Sequence, residues 1–392
     1  MPRFSVVVPT RDRPDLLAFC LESLAAQTFG DFEVIVSDNA TVAPAREAFE
    51  RWAQDGWRYL APERPLAMHE NFELGCEEAE GDFVAVVIDK TALHPSALAK
   101  ADAALTSVPE AEIVTWRNEG FMPLDEEREL GLGRFVPAAP ANVLLRYDPG
   151  VELRARFENE TRRGTDPVHY TRGKIVFGAY SRALLERIRA ETGSVFHPLA
   201  PDYTAMVPAS VLAQSAVDVG RPLLVSYNSA RSNGRNQAVD PGYARTFIEN
   251  VDPAIIGALP VPGLYASPHN VVAYDLVSSA ARCPAGSTPS LNFPNLLRRI
   301  REDLALVSWP DPRERGAQYA LLEAAEAEHD VVPSAGSPTS RSPREVLGSA
   351  LARFPSLERM AYRAAGRPSP VYRSPVEAAR AADRHYSRAL QT

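Results

Sequence analysis

Cysteine is scarce: Cys20, Cys76 and Cys283 are the only three in 392 residues, and no two of them form a Cys-x-x-Cys pair. An odd and scattered set opposes a disulfide framework or a zinc ribbon and fits a reducing compartment, so a cytoplasmic location is expected. No apolar run of about 18 residues occurs, and no transmembrane segment is expected. The opening Met-Pro-Arg-Phe-Ser enters a β-type run without a basic stretch, a longer apolar region or a small-residue cleavage site, so no export signal is expected either. Basic excess is also missing. Lys plus Arg number 42 against 50 for Asp plus Glu, a net charge of −8, whereas nucleic-acid binding needs a basic surface that displaces counterions. Nucleic acid is therefore not an expected partner. Two glycine motifs are absent as well: Gly-x-Gly-x-x-Gly after the first apolar run, and Gly-x-x-x-x-Gly-Lys-Ser/Thr anywhere, which disfavours a nicotinamide enzyme and a P-loop NTPase. Proline, by contrast, is plentiful at 34 residues and concentrates after residue 120, so the second half should be rich in loops.

The first 116 residues alternate between a period of two and a period of three to four, the pattern of an α/β chain. Strands are expected at 4–8, 32–36, 57–60, 82–88 and 113–116, with helices at 14–30, 44–53, 68–79 and 95–107 between them. Pro14 suits a first helical turn, Leu16, Leu17, Cys20, Leu21 and Leu24 form its apolar stripe, and Gly30 is the expected C-cap. Right-handed crossovers then give a mostly parallel, Rossmann-like sheet flanked by helices. Residues 117–170 read as irregular cover. A strand at 174–177, a helix at 182–191, a loop at 197–202, a partly helical stretch to 216 and a strand at 222–227 complete a first domain, 1–240. A helical extension over 241–331, a flexible linker over 332–345 and a C-terminal helical segment over 346–392 follow. The stripe Leu296, Leu297, Ile300, Leu304 and Val307 could dock on the first domain, join two subunits as a homodimer, or lie on a membrane.

In an open parallel sheet, ligands sit beyond the carboxyl ends of the strands. Those positions here hold Pro9-Thr10-Arg11-Asp12-Arg13, Ser37-Asp38-Asn39-Ala40-Thr41 and Asp89-Lys90-Thr91. A carboxylate such as Asp38 can accept from a base imide N–H, while Thr10 and Arg11 supply donors, a set that suits a nucleotide.

Residues 4–41, with Glu70-Asn71-Phe72 and Gly81-Asp82-Phe83-Val84, resemble the opening of a family 2 glycosyltransferase of the GT-A fold. The likeness covers about residues 3–105 well and 174–235 loosely. It implies an inverting transferase that moves a sugar from a nucleoside diphosphate sugar donor to an acceptor, whether small molecule, glycan or peptide. It also implies a nucleoside pocket lined by Pro9, Thr10, Arg11 and Asp38, with Asn39 beside them. The family carries a metal-binding Asp-x-Asp where this chain has Asp89-Lys90-Thr91. A Mg2+ or Mn2+ ion there would rely on Asp89, the Thr91 hydroxyl, water and the diphosphate, with His197 as a further candidate ligand. Alternatively the Lys90 ammonium offsets the diphosphate charge without a metal. Asp202, at the position where the family places its catalytic Asp, is the expected general base, although an Asp opening a helix can equally be an ordinary cap. Arg64, Arg172, Lys174 and Arg231 are further candidate contacts to nucleoside or phosphate. Two rival readings remain: a non-catalytic nucleotide- or glycan-binding protein, and a sugar nucleotidyltransferase, which would normally carry glycine in the loop after the first strand.

Overall fold

The computed structural model describes residues 1–125, 131–138, 144–160, 170–229, 232–332 and 370–388. The β-branched opening run forms β1 (Phe4–Thr10), buried along its whole length, and such a strand needs a partner on each edge and cover on each face. Its edges pair in parallel with β2 (Phe32–Asp38) and β4 (Phe83–Val86), and β2 pairs in parallel with β3 (Arg58–Leu60). The order β4-β1-β2-β3 means that the chain winds outward from β1 to β3 and then returns to the other side of β1. A topological switch of this kind opens a crevice beyond the carboxyl ends of β1, β2 and β4.

Side-chain alternation covers the two faces with different helices. Val6 and Val8 meet Leu17, Leu21 and Leu24 of α1 (Pro14–Ala25), whereas Val7 and Ile35 meet Phe72 and Cys76 of α3 (Met68–Glu77). The stripe expected on α1 is the stripe that is buried. The helix nevertheless ends at Ala25, not at Gly30: the Gln27 amide donates to the carbonyls of Ser23 (3.2 Å) and His94 (2.8 Å), which closes the turn earlier. The second helix, α2 (Arg46–Trp52), begins two residues later than the sequence suggests, and the Ala45 N–H just ahead of it donates to Asp38.

Beyond β4 the sheet becomes antiparallel. β9 (Gly178–Ser181) pairs antiparallel with β4 and with β6 (Ile113–Pro123), and β10 (Ala216–Tyr227) runs parallel to β6. The expectation of irregular cover over 117–170 is corrected wherever that stretch is described. β6 extends to Pro123, and β7 (Gly133–Val136), β8 (Leu145–Tyr147) and α5 (Pro149–Phe157) follow it. The apolar period fails there because β6 buries Thr115, Arg117 and Glu119. The Glu119 carboxylate lies 3.0 Å from His94 Nε2, so charge disguises a central strand. The strand expected at 174–177 is instead a 3-10 turn over Ile175–Phe177, closed by the Phe177 N–H to the Lys174 carbonyl, and the strand starts at Gly178.

After α6 (Arg182–Thr192) and α7 (Pro201–Leu212), the chain forms α8 (Asn233–Val239), α9 (Pro241–Glu249), α10 (Ala254–Ala258), α11 (Pro268–Ala280), α12 (Phe293–Leu304) and α13 (Pro312–Glu328). Leu296, Leu297, Ile300 and Leu304 of α12 are buried with Ile248, Leu264, Leu322 and Leu199. That apolar stripe is consumed within the chain, so α12 offers it neither to a second subunit nor to a membrane. Among the described residues no helix is long and apolar enough to cross a membrane. Residues 333–345 of the expected linker, and 346–369 after them, lie outside the described residues. β11 (Val371–Tyr372) then pairs antiparallel with β7, and α14 (Pro375–Arg388) packs Val376, Ala379, Ala382 and Tyr386 against Leu16, Phe121, Phe135 and Tyr227. The Tyr386 hydroxyl donates to Glu119, and Asp383 accepts from Lys100 Nζ at 2.8 Å. The end of the chain thus adds a strand and a helix to the first domain's own sheet.

Candidate active site

The switch crevice collects three residues. Thr10 and Asp38 end β1 and β2 in register with each other, and the Thr10 hydroxyl donates to Asp89 Oδ2 at 2.9 Å just past β4. All three are buried, with Pro9 beside them on β1. Asp38 Oδ2 accepts from the Ala45 N–H at 2.7 Å and from the Tyr59 hydroxyl. Asp38 Oδ1 is buried and has no hydrogen-bond partner among the described residues. A buried carboxylate oxygen without a donor is costly, and a ligand N–H placed there would satisfy it. Burial, reinforced by the Asp38 carboxylate, pushes the Tyr59 phenol above its ordinary range, so Tyr59 remains a donor. Asn71 of α3 accepts from the Ser37 hydroxyl at 2.7 Å and donates to the Ser37 carbonyl at 3.1 Å, fixing the end of β2.

Two loops frame this cluster, and one carboxylate ties them together. Asp12, with φ +53°, accepts at Oδ1 from the N–H groups of Thr41 (2.9 Å), Val42 (2.8 Å) and Ala43 (2.9 Å), and at Oδ2 from the Thr41 hydroxyl (2.6 Å). Desolvation pushes the Asp12 carboxyl up, but these donors, led by Ala43, together outweigh it and hold the group well below the usual carboxylate range. Arg13 brings its guanidinium within 3.5 Å of Asp89 Oδ1. Arg11 is half exposed and lies 3.9 Å from Asp12. Arg13, Tyr59 and Asp12 were not singled out from the sequence. The polar stretch Pro9-Thr10-Arg11-Asp12-Arg13 at the end of β1 was the available signal for the first and last; nothing marked Tyr59.

Several sequence candidates have other employment. The Asn39 amide donates to the Leu66 carbonyl and accepts from the Leu66 N–H, both at 2.8 Å, so it pins the loop before α3 instead of contacting a nucleoside. Arg64 is exposed and bonds Glu70 at 3.2 Å. Arg172 is buried between Glu152 (2.7 Å) and Asp218 (3.0 Å), a structural ion network and not a phosphate contact. Lys90 Nζ donates to the Ser232 hydroxyl at 2.9 Å, which draws the loop after β10 to the Asp89 corner. Arg231 lies outside the described residues.

The residues present do not fit a resident divalent cation. Asp89 already faces the Thr10 hydroxyl and the Arg13 guanidinium, and an ammonium follows it in sequence. The Thr91 hydroxyl donates to the Ile88 carbonyl at 2.6 Å. Burial, with Arg282 and His69 nearby, pushes the His197 imidazole down to about 4 and keeps it neutral. Among the described residues no group of three or more His, Cys, Asp or Glu could hold a metal. Mg2+ and Mn2+ demand several oxygen ligands. The Thr91 hydroxyl is thus held by a backbone carbonyl and the His197 imidazole is kept neutral.

Asp202 stands in the first turn of α7, and 23% of its side chain is exposed. Lys174 Nζ lies 3.2 Å from its Oδ2 and sits over the ring faces of Tyr203 (3.5 Å) and Tyr170 (4.0 Å). Lys174 is fully buried, so it lies beneath Asp202 and does not face an open phosphate site as expected. Burial opposes its charge, but the two tyrosines and Asp202 outweigh that and hold its pKa above the ordinary value. The loop entering α7 is fastened from the helical extension: the N–H groups of Leu199 (2.9 Å) and Ala200 (3.0 Å) donate to the two oxygens of Asp275 on α11.

Burial pushes the Asp275 carboxyl up to about 8, against the pull of the Leu199 and Ala200 N–H donors and with the help of nearby Asp202. The folded chain therefore holds a proton that the unfolded chain releases near 3.8. The stability from this group is fully present below that value and is lost as pH rises towards 8. The melting-temperature advantage of the wild type over Asp275→Asn is expected to shrink from about pH 5 to about pH 8. A gap constant across that range in scanning calorimetry would show that Asp275 folds ionised.

A switch crevice with Thr10, Asp38 and Asp89 at its rim lies where open α/β sheets take their ligands, and it falls within the segment that matches a family model. Residues 5–118, less than a third of the chain, match the model described as Glycosyl transferase family 2. Among curated proteins, the chain is 32% identical over 101 residues to the GalNAc(5)-diNAcBac-PP-undecaprenol beta-1,3-glucosyltransferase of Campylobacter jejuni, covering 25% of this chain and 33% of that protein. It is 28% identical over 210 residues to the O-antigen biosynthesis protein RfbC of Myxococcus xanthus, covering 52% of this chain and 16% of that protein. The chain thus spans at most a third of the length of these relatives. Among solved structures, S. aureus TarS 1–349 in complex with UDP-GlcNAc is similar at 14% identity and a TM-score of 0.47, over 85% of this chain and 93% of that one.

Proposed function

We propose that the chain is an inverting glycosyltransferase that takes a sugar from a nucleoside diphosphate donor. The observation that carries this reading is the convergence of Thr10, Asp38 and Asp89 on one crevice within the segment that matches the family. Asp38 Oδ1 accepts a base N–H, and the strand-end loops hold the ribose and diphosphate. Asp202 takes the acceptor's hydroxyl proton, the acceptor oxygen bonds to the anomeric carbon from the face opposite the leaving group, and the bond to the diphosphate breaks with its electron pair. The names of the two curated relatives, a glucosyltransferase and an O-antigen biosynthesis protein, favour a saccharide hydroxyl as acceptor.

The charge on the departing diphosphate is balanced by fixed cations of the chain, Arg13 and Lys90, both at the Asp89 corner. Transfer is therefore metal-independent in this reading. With UDP-, GDP-, CDP- and dTDP-sugars tested against saccharide acceptors, one donor is expected to support transfer at rates that agree within about twofold with Mg2+ and with chelator. Complete loss in chelator overturns metal independence. Nucleotide binding with neither donor hydrolysis nor transfer across the panel overturns the enzyme reading in favour of a binding protein.

A further inference from the structure

The lysine beneath Asp202 is unusual in its setting. Lys174 is fully buried, and an ammonium removed from water is costly unless it is paired. Its compensation comes from one carboxylate oxygen, Asp202 Oδ2 at 3.2 Å, and from the faces of Tyr203 and Tyr170 at 3.5 and 4.0 Å. The lysine is held rigidly by its place at the start of the 3-10 turn, where the Phe177 N–H bonds its carbonyl and its own N–H bonds the Thr171 carbonyl. A partly exposed carboxylate in the first turn of a helix has rotational freedom about its last bond. An ammonium 3.2 Å from one oxygen limits that freedom and leaves the other oxygen of the partly exposed side chain for an acceptor.

We propose that Lys174 is a positioning residue for the general base: it holds Asp202 Oδ2 so that Oδ1 alone meets the acceptor hydroxyl. This rests on Asp202 being the base, as proposed above. Lys174 touches neither donor nor acceptor in this role, so its removal acts on turnover and leaves donor binding intact. Arginine at the same place keeps a cation on the carboxylate, whereas methionine keeps the volume and loses the charge.

The test compares steady-state kinetics and nucleotide affinity of Lys174→Met and Lys174→Arg, each in the wild-type and in the Asp202→Asn background. Lys174→Met is expected to lower kcat by about 10- to 100-fold, the scale of a misplaced catalytic group, with donor KM unchanged. Lys174→Arg is expected to restore most of that loss, and Lys174→Met is expected to add nothing to Asp202→Asn. A raised donor KM with unchanged kcat would make Lys174 a donor contact and overturn the proposal, as would a loss that adds fully to that of Asp202→Asn. If melting curves show Lys174→Met unfolded, a crystal structure of the wild type with bound nucleotide decides. Oδ2 within hydrogen-bond reach of Lys174 is expected there, and a carboxylate turned away from it overturns the proposal. Full turnover by Asp202→Asn removes the base reading and this one together. An inactive Asp202→Asn beside a Lys174→Met enzyme of normal kcat removes this one alone.

Discussion

Asp202→Asn is expected to lower kcat by about 10²–10⁴-fold, the usual contribution of a positioned base, while nucleotide affinity stays within a few-fold of the wild type. The amide has the shape of the carboxylate but cannot take a proton, so an acceptor hydroxyl would attack still protonated. Donor binding should survive because Thr10, Asp38 and Asp89 stand at or just past the ends of β1, β2 and β4 and share no hydrogen bond with Asp202 among the described residues. A second consequence separates this substitution from a surface change. Lys174 would lose its carboxylate and remain buried under an amide, with only the two tyrosine faces left to it. Removing one partner of a buried charge is destabilising, so the melting temperature should fall as well, less than for a fully buried pair because Asp202 is partly exposed. Initial rates with a defined donor and acceptor, nucleotide titration calorimetry and a melting curve read the three effects separately. Full turnover by the variant would leave Asp202 as no more than an acidic first-turn residue paired with Lys174.

The strand-end residues were legible because parallel β-structure writes itself plainly: buried on both faces, β1 and β2 are nearly continuous apolar runs, and the polar residues that stop them are the ones that face the crevice. The same rule misleads at β6, where Arg117 and Glu119 are interior and Glu119 finds its partners far away in sequence. His94 and Tyr386, from opposite ends of the chain, meet at Glu119. Lys174 and Arg172 show a related failure. Adjacent basic residues before an apolar run look like a phosphate loop, yet each has its carboxylate elsewhere, Asp202 for one and Glu152 with Asp218 for the other. Sequence spacing reports periodicity along one element; it carries no sign of a pairing across 28 or 46 positions. Asp275 is the extreme case, a helical residue of the extension that holds the loop ahead of α7 from 75 and 76 positions away.

Asp38→Asn is expected to weaken binding of uridine or guanosine diphosphates by about 10- to 100-fold, the scale of a lost hydrogen bond to a charged group. Asp38 is an acceptor only. With Oδ2 occupied by the Ala45 N–H and the Tyr59 hydroxyl, its buried Oδ1 remains for a ligand donor. Uracil, thymine and guanine each present a ring N–H on the pairing edge and satisfy that oxygen; cytosine and adenine present a bare ring nitrogen there, and two acceptors would face each other. An amide at position 38 must keep its oxygen towards Ala45 and Tyr59, since both are donors, and its NH2 group then points at the ligand. The preference should therefore invert: cytidine diphosphate should lose less affinity than uridine diphosphate and could gain. Thermal shifts with the four diphosphates on wild type and variant read this directly, because a ligand that binds only the folded chain raises its melting point according to occupancy. Unchanged shifts for every nucleotide would take Asp38 out of the base pocket, while a uniform loss across all four would make it a scaffold residue that acts through Tyr59 and the start of α2 and does not read the base.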